Sequence, residues 1–244
     1  MTQIISDLGP THFVWATVVL IIAAVVQASA GFGFGIIAAP ILLLLADWLV
    51  PGPLILAAVV LTIMSSIRER YDINFARLVW LLLGRFPGTL LGLGALLIFA
   101  RAKLAVFIGV VILIAVVLSF LRGKFEPRRR TLVGAGIASG FMATISSVGG
   151  PPVALIYQHS RAAELRATMA VYFTIGGTVS LTGLHFIGLF GARELSAGLV
   201  LVPGVVLGFI LSRWAIPRLN QESIRTFILS IAGAAGIAIL FKYW

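Results

Sequence analysis

Apolar runs recur from one end of this chain to the other, with too little between them for a water-soluble core to absorb. Ten segments can be read between charges and Pro or Gly clusters: residues 12–31, 36–48, 53–67, 77–99, 103–121, 131–147, 151–159, 166–187, 195–214 and 222–243. Sixty per cent of the 244 residues are hydrophobic and 11% are charged, with a mean hydropathy of +1.12. No soluble domain of this size hides that much apolar surface. The runs are continuous rather than alternating, which excludes a β-barrel. The expectation is an all-α integral membrane protein, a polytopic bundle of about 8–10 segments that include short broken helices.

Charge and cysteine content narrow the function classes. The formal charge of +10 comes from Lys and Arg that flank the segments, as cytoplasmic loops require, so no nucleic-acid partner is implied. The lipid bilayer is the partner expected. The opening residues "MTQIISDLGPTH" contain no Lys or Arg, so neither a signal peptide nor a transit peptide is expected. With no cysteine there is no disulfide, thiolate metal site or cysteine nucleophile. No cofactor and no metal is expected, and the oligomeric state stays open.

The chain carries a repeat. "RFPGTLLGLG" and "LVPGVVLGFI" both contain P-G-x-x-x-G, as Pro87-Gly88 with Gly92 and Pro203-Gly204 with Gly208, 116 residues apart. The same offset sets "SSVGGPP" (Ser146–Pro152) on "AGFGFGI" (Ala30–Ile36). Two landmarks at one offset argue for duplication. The predicted organisation is a first repeat at 1–121, a basic cytoplasmic linker at 122–130 and a second repeat at 131–244. Five segments per half would insert the second half upside down. With the linker inside, thirteen Lys/Arg are then cytoplasmic and four external, Arg85 being left out. Four spans per half give ten against seven. The bias favours inverted repeats.

Segments 36–48 and 151–159 would be only about 20 and 14 Å long as helices, short of a ~30 Å hydrocarbon core. The glycine loops before them are therefore expected at membrane depth, where irregular backbone survives only inside protein or beside a wet cavity. Paired Gly/Pro-broken segments in matching halves mark the binding site of many secondary transporters. A helix starts after each break, and its free N–H groups and partial positive charge suit an anion.

The candidate substrate-binding residues follow from that geometry. They are Gln27, Ser29, Gly31, Gly33 and Gly35 around the first break, and Thr144, Ser146, Ser147, Gly149 and Gly150 around the second. Arg85, inside "LLLGRFPGTLLG", costs about 2.5–3.5 kcal/mol at a helix centre and joins them as a fixed positive charge. Snorkelling toward the interface is the competing reading for Arg85, and helix packing for the glycines. Gly84, Gly88 and Gly92 lie on one helix face and read as a packing surface. Pro87 and Pro203 are candidate kinks or hinges.

These features resemble the TauE/SafE sulfite exporter family, also called the toluene sulfonate uptake permease family. The resemblance rests on Gly31, Gly33, Gly35 and Pro40, on Ser147, Gly149, Gly150 and Pro151 in a departing second copy, on both P-G-x-x-x-G motifs and on "RERYDINFARLVWLL". It spans essentially the whole chain. It implies a secondary transporter, an exporter, of sulfite or organosulfonates across the bacterial inner membrane. The residues alone reach an anion cradle and do not distinguish a sulfonate from a carboxylate. A channel with the same cradle is an alternative. An intramembrane enzyme would need a nucleophile–base pair or carboxylate dyad, and the sequence supplies no such motif, so the chain is read as a non-enzyme.

Overall fold

The computed structural model describes residues 8–99, 101–121, 126–215 and 221–243. Residues 122–125 of the expected linker lie outside them. Ten helices run through the described residues: α1 (Pro10–Ala30), α2 (Phe34–Leu45), α3 (Gly52–Arg68), α4 (Phe75–Ile98), α5 (Arg101–Phe120), α6 (Arg129–Ser146), α7 (Gly150–Tyr157), α8 (Ala162–Phe186), α9 (Ala192–Ala215) and α10 (Gln221–Tyr243). The described residues contain no strand. Each apolar segment of the sequence coincides with one helix.

Among the described residues six stretches are long and apolar enough to cross a bilayer, including Pro10–Ala30, Phe75–Ile98 and Ala162–Phe186. Their outward faces are as greasy as their inward ones, with Ile22, Leu83, Leu90 and Leu97 exposed. A soluble bundle would bury such side chains, whereas lipid makes them neutral. By contrast α2 has 12 residues and α7 has eight, both too short to span.

With apolar residues on every face, helix contacts depend on close approach and polar pairing. α4 and α6 interlock through glycines on both sides. A Cβ at Gly84 would strike the Val133 carbonyl and one at Gly88 the Ile137 carbonyl, while one at Gly136 would strike the Leu81 carbonyl. α9 meets α1 the same way, with Gly204 against Thr17 and Gly208 against Ile21. The P-G-x-x-x-G glycines are thus packing surfaces, and the helices run on through Pro87 and Pro203. Hydroxyls link α3 to α8, where Thr174 Oγ1 donates to Thr62 Oγ1 at 3.0 Å.

Packing partners correspond between the two halves. Exchanging α1–α5 with α6–α10 turns the α4–α6 contact into α9–α1, α9–α3 into α4–α8, α10–α2 into α5–α7, and α1–α2 into α6–α7. The α3–α8 and α5–α10 contacts map onto themselves.

Candidate functional site

The first break is built by glycines that no other residue could replace cheaply. Gly31 ends α1 at φ +86° and Gly33 precedes α2 at φ +118°, both left-handed. Gln27, one turn before the break, holds it in shape. Its Oε1 accepts from Phe34 N at 3.0 Å and its Nε2 donates to Gly31 O at 3.3 Å.

The second break repeats this geometry with different chemistry. Ser147 takes the place of Gly31, at φ +63°, and closes α6 through its N–H to Ala143 O at 2.9 Å. The equivalent bond at the first break runs from Gly31 N to Gln27 O at 2.8 Å. Ser139 acts as the clamp, its Oγ donating to Gly149 O at 2.6 Å. The two breaks touch. Gly35 faces the Ser147 carbonyl so closely that a Cβ would collide with it, and Gly150 packs on Phe32.

Between the breaks lies a cavity of about 50 Å³, against roughly 10–15 Å³ for one water. Gly33, Gly35 and Ile36 from the first break line one side, and Ser147, Gly149 and Gly150 from the second line the other. α3 adds Val59 and Thr62, and α8 adds Phe173 and Gly177. The starts of α2 and α7 both face this space. Phe34 N–H is already taken by Gln27, so Gly35 and Ile36 supply the first-turn N–H groups that remain on α2. In the first turn of α7 only Gly150 has an N–H, because Pro151 and Pro152 follow it.

Arg85 forms part of the same wall and is 3% exposed. It does not snorkel. Its guanidinium lies over the Tyr172 ring at 5.0 Å and the Phe173 ring at 6.0 Å. Gly176 makes room for it, since a Cβ there would collide with the guanidinium. Nη1 reaches Ser139 Oγ at 3.4 Å, and Nε has no hydrogen-bond partner. Among the described residues no carboxylate pairs with Arg85.

The sequence-predicted residues therefore divide. Gln27, Gly33, Gly35, Arg85, Ser147, Gly149 and Gly150 line one cavity. Ser29, Gly31, Thr144 and Ser146 are not among its lining residues. The hydroxyls of Ser29, Thr144, Ser146 and Ser147 each donate to a backbone carbonyl. Ser29 donates to Val25 O, Thr144 to Gly140 O and Ser146 to Met142 O, all one turn back. Ser147 donates to Pro51 O at 3.1 Å. Gly31 instead lets Arg166 pack against it. The sequence reading missed Ser139, Thr62, Tyr172 and Phe173; the only local signal for the α8 contribution is the Gly176-Gly177 pair inside a membrane segment.

Charged residues gather where α3 ends and α8 begins. Glu69 pairs with Arg68 at 3.2 Å and Arg166 at 3.3 Å. Arg68 also donates to Ala28 O at 2.6 Å and Ser212 Oγ at 3.0 Å. Beside them Glu164 accepts from Arg77 at 2.6 Å and from Asn74 at 2.9 Å.

The fold and cavity define a multi-pass membrane protein with an arginine buried at the cavity between two helix breaks, with no carboxylate partner among the described residues. The family model described as "Sulfite exporter TauE/SafE" matches residues 16–239. The chain belongs to this family of membrane transporters. No curated protein and no solved structure matches it.

Proposed function

We propose that the chain is a secondary carrier that moves a small sulfur oxyanion, sulfite or a compact sulfonate, across a bacterial inner membrane. The observation that carries this reading is Arg85. Burying one ion costs several kcal/mol even after relaxation, and cation–π contacts return about 2 kcal/mol at desolvated sites. A bound anion is the partner that would close the difference. The first-turn N–H groups of Gly35, Ile36 and Gly150 would bind its remaining oxygens, with the α2 and α7 dipoles adding to the attraction. A cavity of about 50 Å³ suits a group of a few heavy atoms.

Transport by alternating access is the mechanism that fits. The correspondence of packing partners and the Lys/Arg bias both support inverted repeats, with the site near the bilayer midplane between them. Pro87 and Pro203 would be the symmetric hinge points. The direction that the family description implies is export.

The experiment is uptake of labelled sulfite by purified protein in liposomes. Saturable uptake is expected for the wild type. Arg85→Gln should lower it at least ~100-fold, as loss of a buried charge pair worth about 3 kcal/mol would, and Arg85→Lys should retain part of it. Equal uptake by wild type and Arg85→Gln would overturn the reading.

A further inference from the structure

We infer that the cavity accepts the monoanion of its substrate, so that with sulfite the carried species is hydrogensulfite and the proton crosses on the substrate. This rests on the transport reading above and concerns the charge state that the site selects. The lining contains one ionic group, Arg85, together with the neutral polar residues Gln27, Thr62 and Ser147. No carboxylate, imidazole, ammonium or phenol is among the lining residues.

Among the described residues, the surroundings of Arg85 add no second charge. On α8, Tyr172 turns its hydroxyl to Gly136 O at 3.5 Å and presents its ring to Arg85. On α6, Ser139 is neutral. The charged residues of the helices packed on α4 lie toward their ends. Arg129 of α6 sits over Trp80, with Arg130 adjoining it in the first turn. On α8, Glu164 holds Arg77, Arg166 holds Glu69, and His185 Nδ1 lies 2.9 Å from Phe190 O. Along α4 itself the nearest charge is Arg77, two turns away and paired with Glu164.

The α2 and α7 N-termini contribute only partial charges, worth less than an unpaired buried ion costs, so the one full positive charge of the site is matched by one negative charge. A dianion would leave an unpaired buried charge in a low-dielectric wall, which is the situation that binding must relieve. No lining side chain can take up a proton near neutral pH to compensate. Discrimination therefore falls on the charge of the anion, and protonation of sulfite makes it a substrate.

The test is the KM for labelled sulfite in proteoliposomes with equal pH on both sides and the potential clamped, at about pH 6, 7 and 8. The apparent affinity scales with the fraction of competent ligand, so KM in total sulfite should rise several-fold over this range while the maximal rate stays level. Expressed as hydrogensulfite, KM should stay constant. Sulfate, a dianion throughout, should compete at least ~10-fold more weakly than methanesulfonate, a monoanion throughout. A KM in total sulfite that does not change with pH, or sulfate competing as well as methanesulfonate, would overturn the inference and leave the carrier reading standing. An inhibition constant for methanesulfonate that drifts with the sulfite KM would place the titration on the protein and overturn it too. No saturable sulfite uptake at any of the three pH values would remove the carrier reading itself.

Discussion

Ser147 shows how a single backbone torsion shapes the second break. Its φ of +63° occupies the position that glycine fills in the first break. A left-handed non-glycine costs about 1–2 kcal/mol, and the hydroxyl bond to Pro51 O returns about 0.5–1.5 kcal/mol. The two nearly cancel, so Ser147→Gly should leave thermal stability in detergent within about 1 kcal/mol of wild type. Ser147→Ala keeps the strain, loses the bond and should melt lower than both. A Ser147→Ala protein melting above Ser147→Gly would show that the torsion is not the controlling quantity. At this scale the sequence was legible where a residue's chemistry is unusual. Arg85 among leucines and glycines at alternate positions announced themselves. Ser29, Thr144 and Ser146 did not reveal that their hydroxyls turn back onto their own helices, because helix rotation and back-bonding are set by tertiary packing. Ser139 was invisible for the same reason: it meets Arg85 and Gly149 through space, across 54 and 10 residues of sequence.

Among elements, the tightest junction is α4 on α6, where glycines of both helices face the other's backbone. Gly88→Ala would push a methyl into the Ile137 carbonyl, and overpacking of this kind costs about 1–3 kcal/mol. Gly94 lies on the same helix with nothing within 4 Å of its added Cβ. Gly94→Ala should therefore melt like the wild type, while Gly88→Ala should melt lower and lose sulfite uptake, since Arg85 sits one turn before Gly88 and depends on the same contact. Equal melting of the two variants would mean that α4 can slide on α6 without loss. Element existence was readable because hydropathy marks every segment, and the short lengths of α2 and α7 followed from Gly and Pro punctuation. Which elements enclose the cavity was not readable. α3 and α8 contribute Thr62 and Phe173 from ordinary apolar segments, and only their packing across the bundle brings them to the breaks.

For the molecule as a whole, the carrier reading turns on which end opens. The charged cluster ties α1, α3, α8 and α9 at one end through Arg68, Glu69, Arg166, Ala28 O and Ser212. Such partly buried pairs are worth about 1 kcal/mol each. Glu69 joins two of them, so removing its charge withdraws about 1–2 kcal/mol from the contacts at this end. At roughly 1.4 kcal/mol per tenfold, that is enough to shift an open–closed equilibrium by about 5- to 30-fold. The natural chain has no cysteine, so a single Val59→Cys on the cavity wall gives a clean reporter of access. In Glu69→Gln carrying that cysteine, a membrane-impermeant thiol reagent added on the side of the Arg68–Glu69–Arg166 cluster should label several-fold faster than in the parent. Labelling from the opposite side should slow, because a carrier that opens one end closes the other. Faster labelling from both sides would instead describe a pore with two independent gates, and would move the molecule from the carrier to the channel class. Unchanged labelling would relieve the cluster of any gating role and leave Glu69 as a stabilising contact between helix ends.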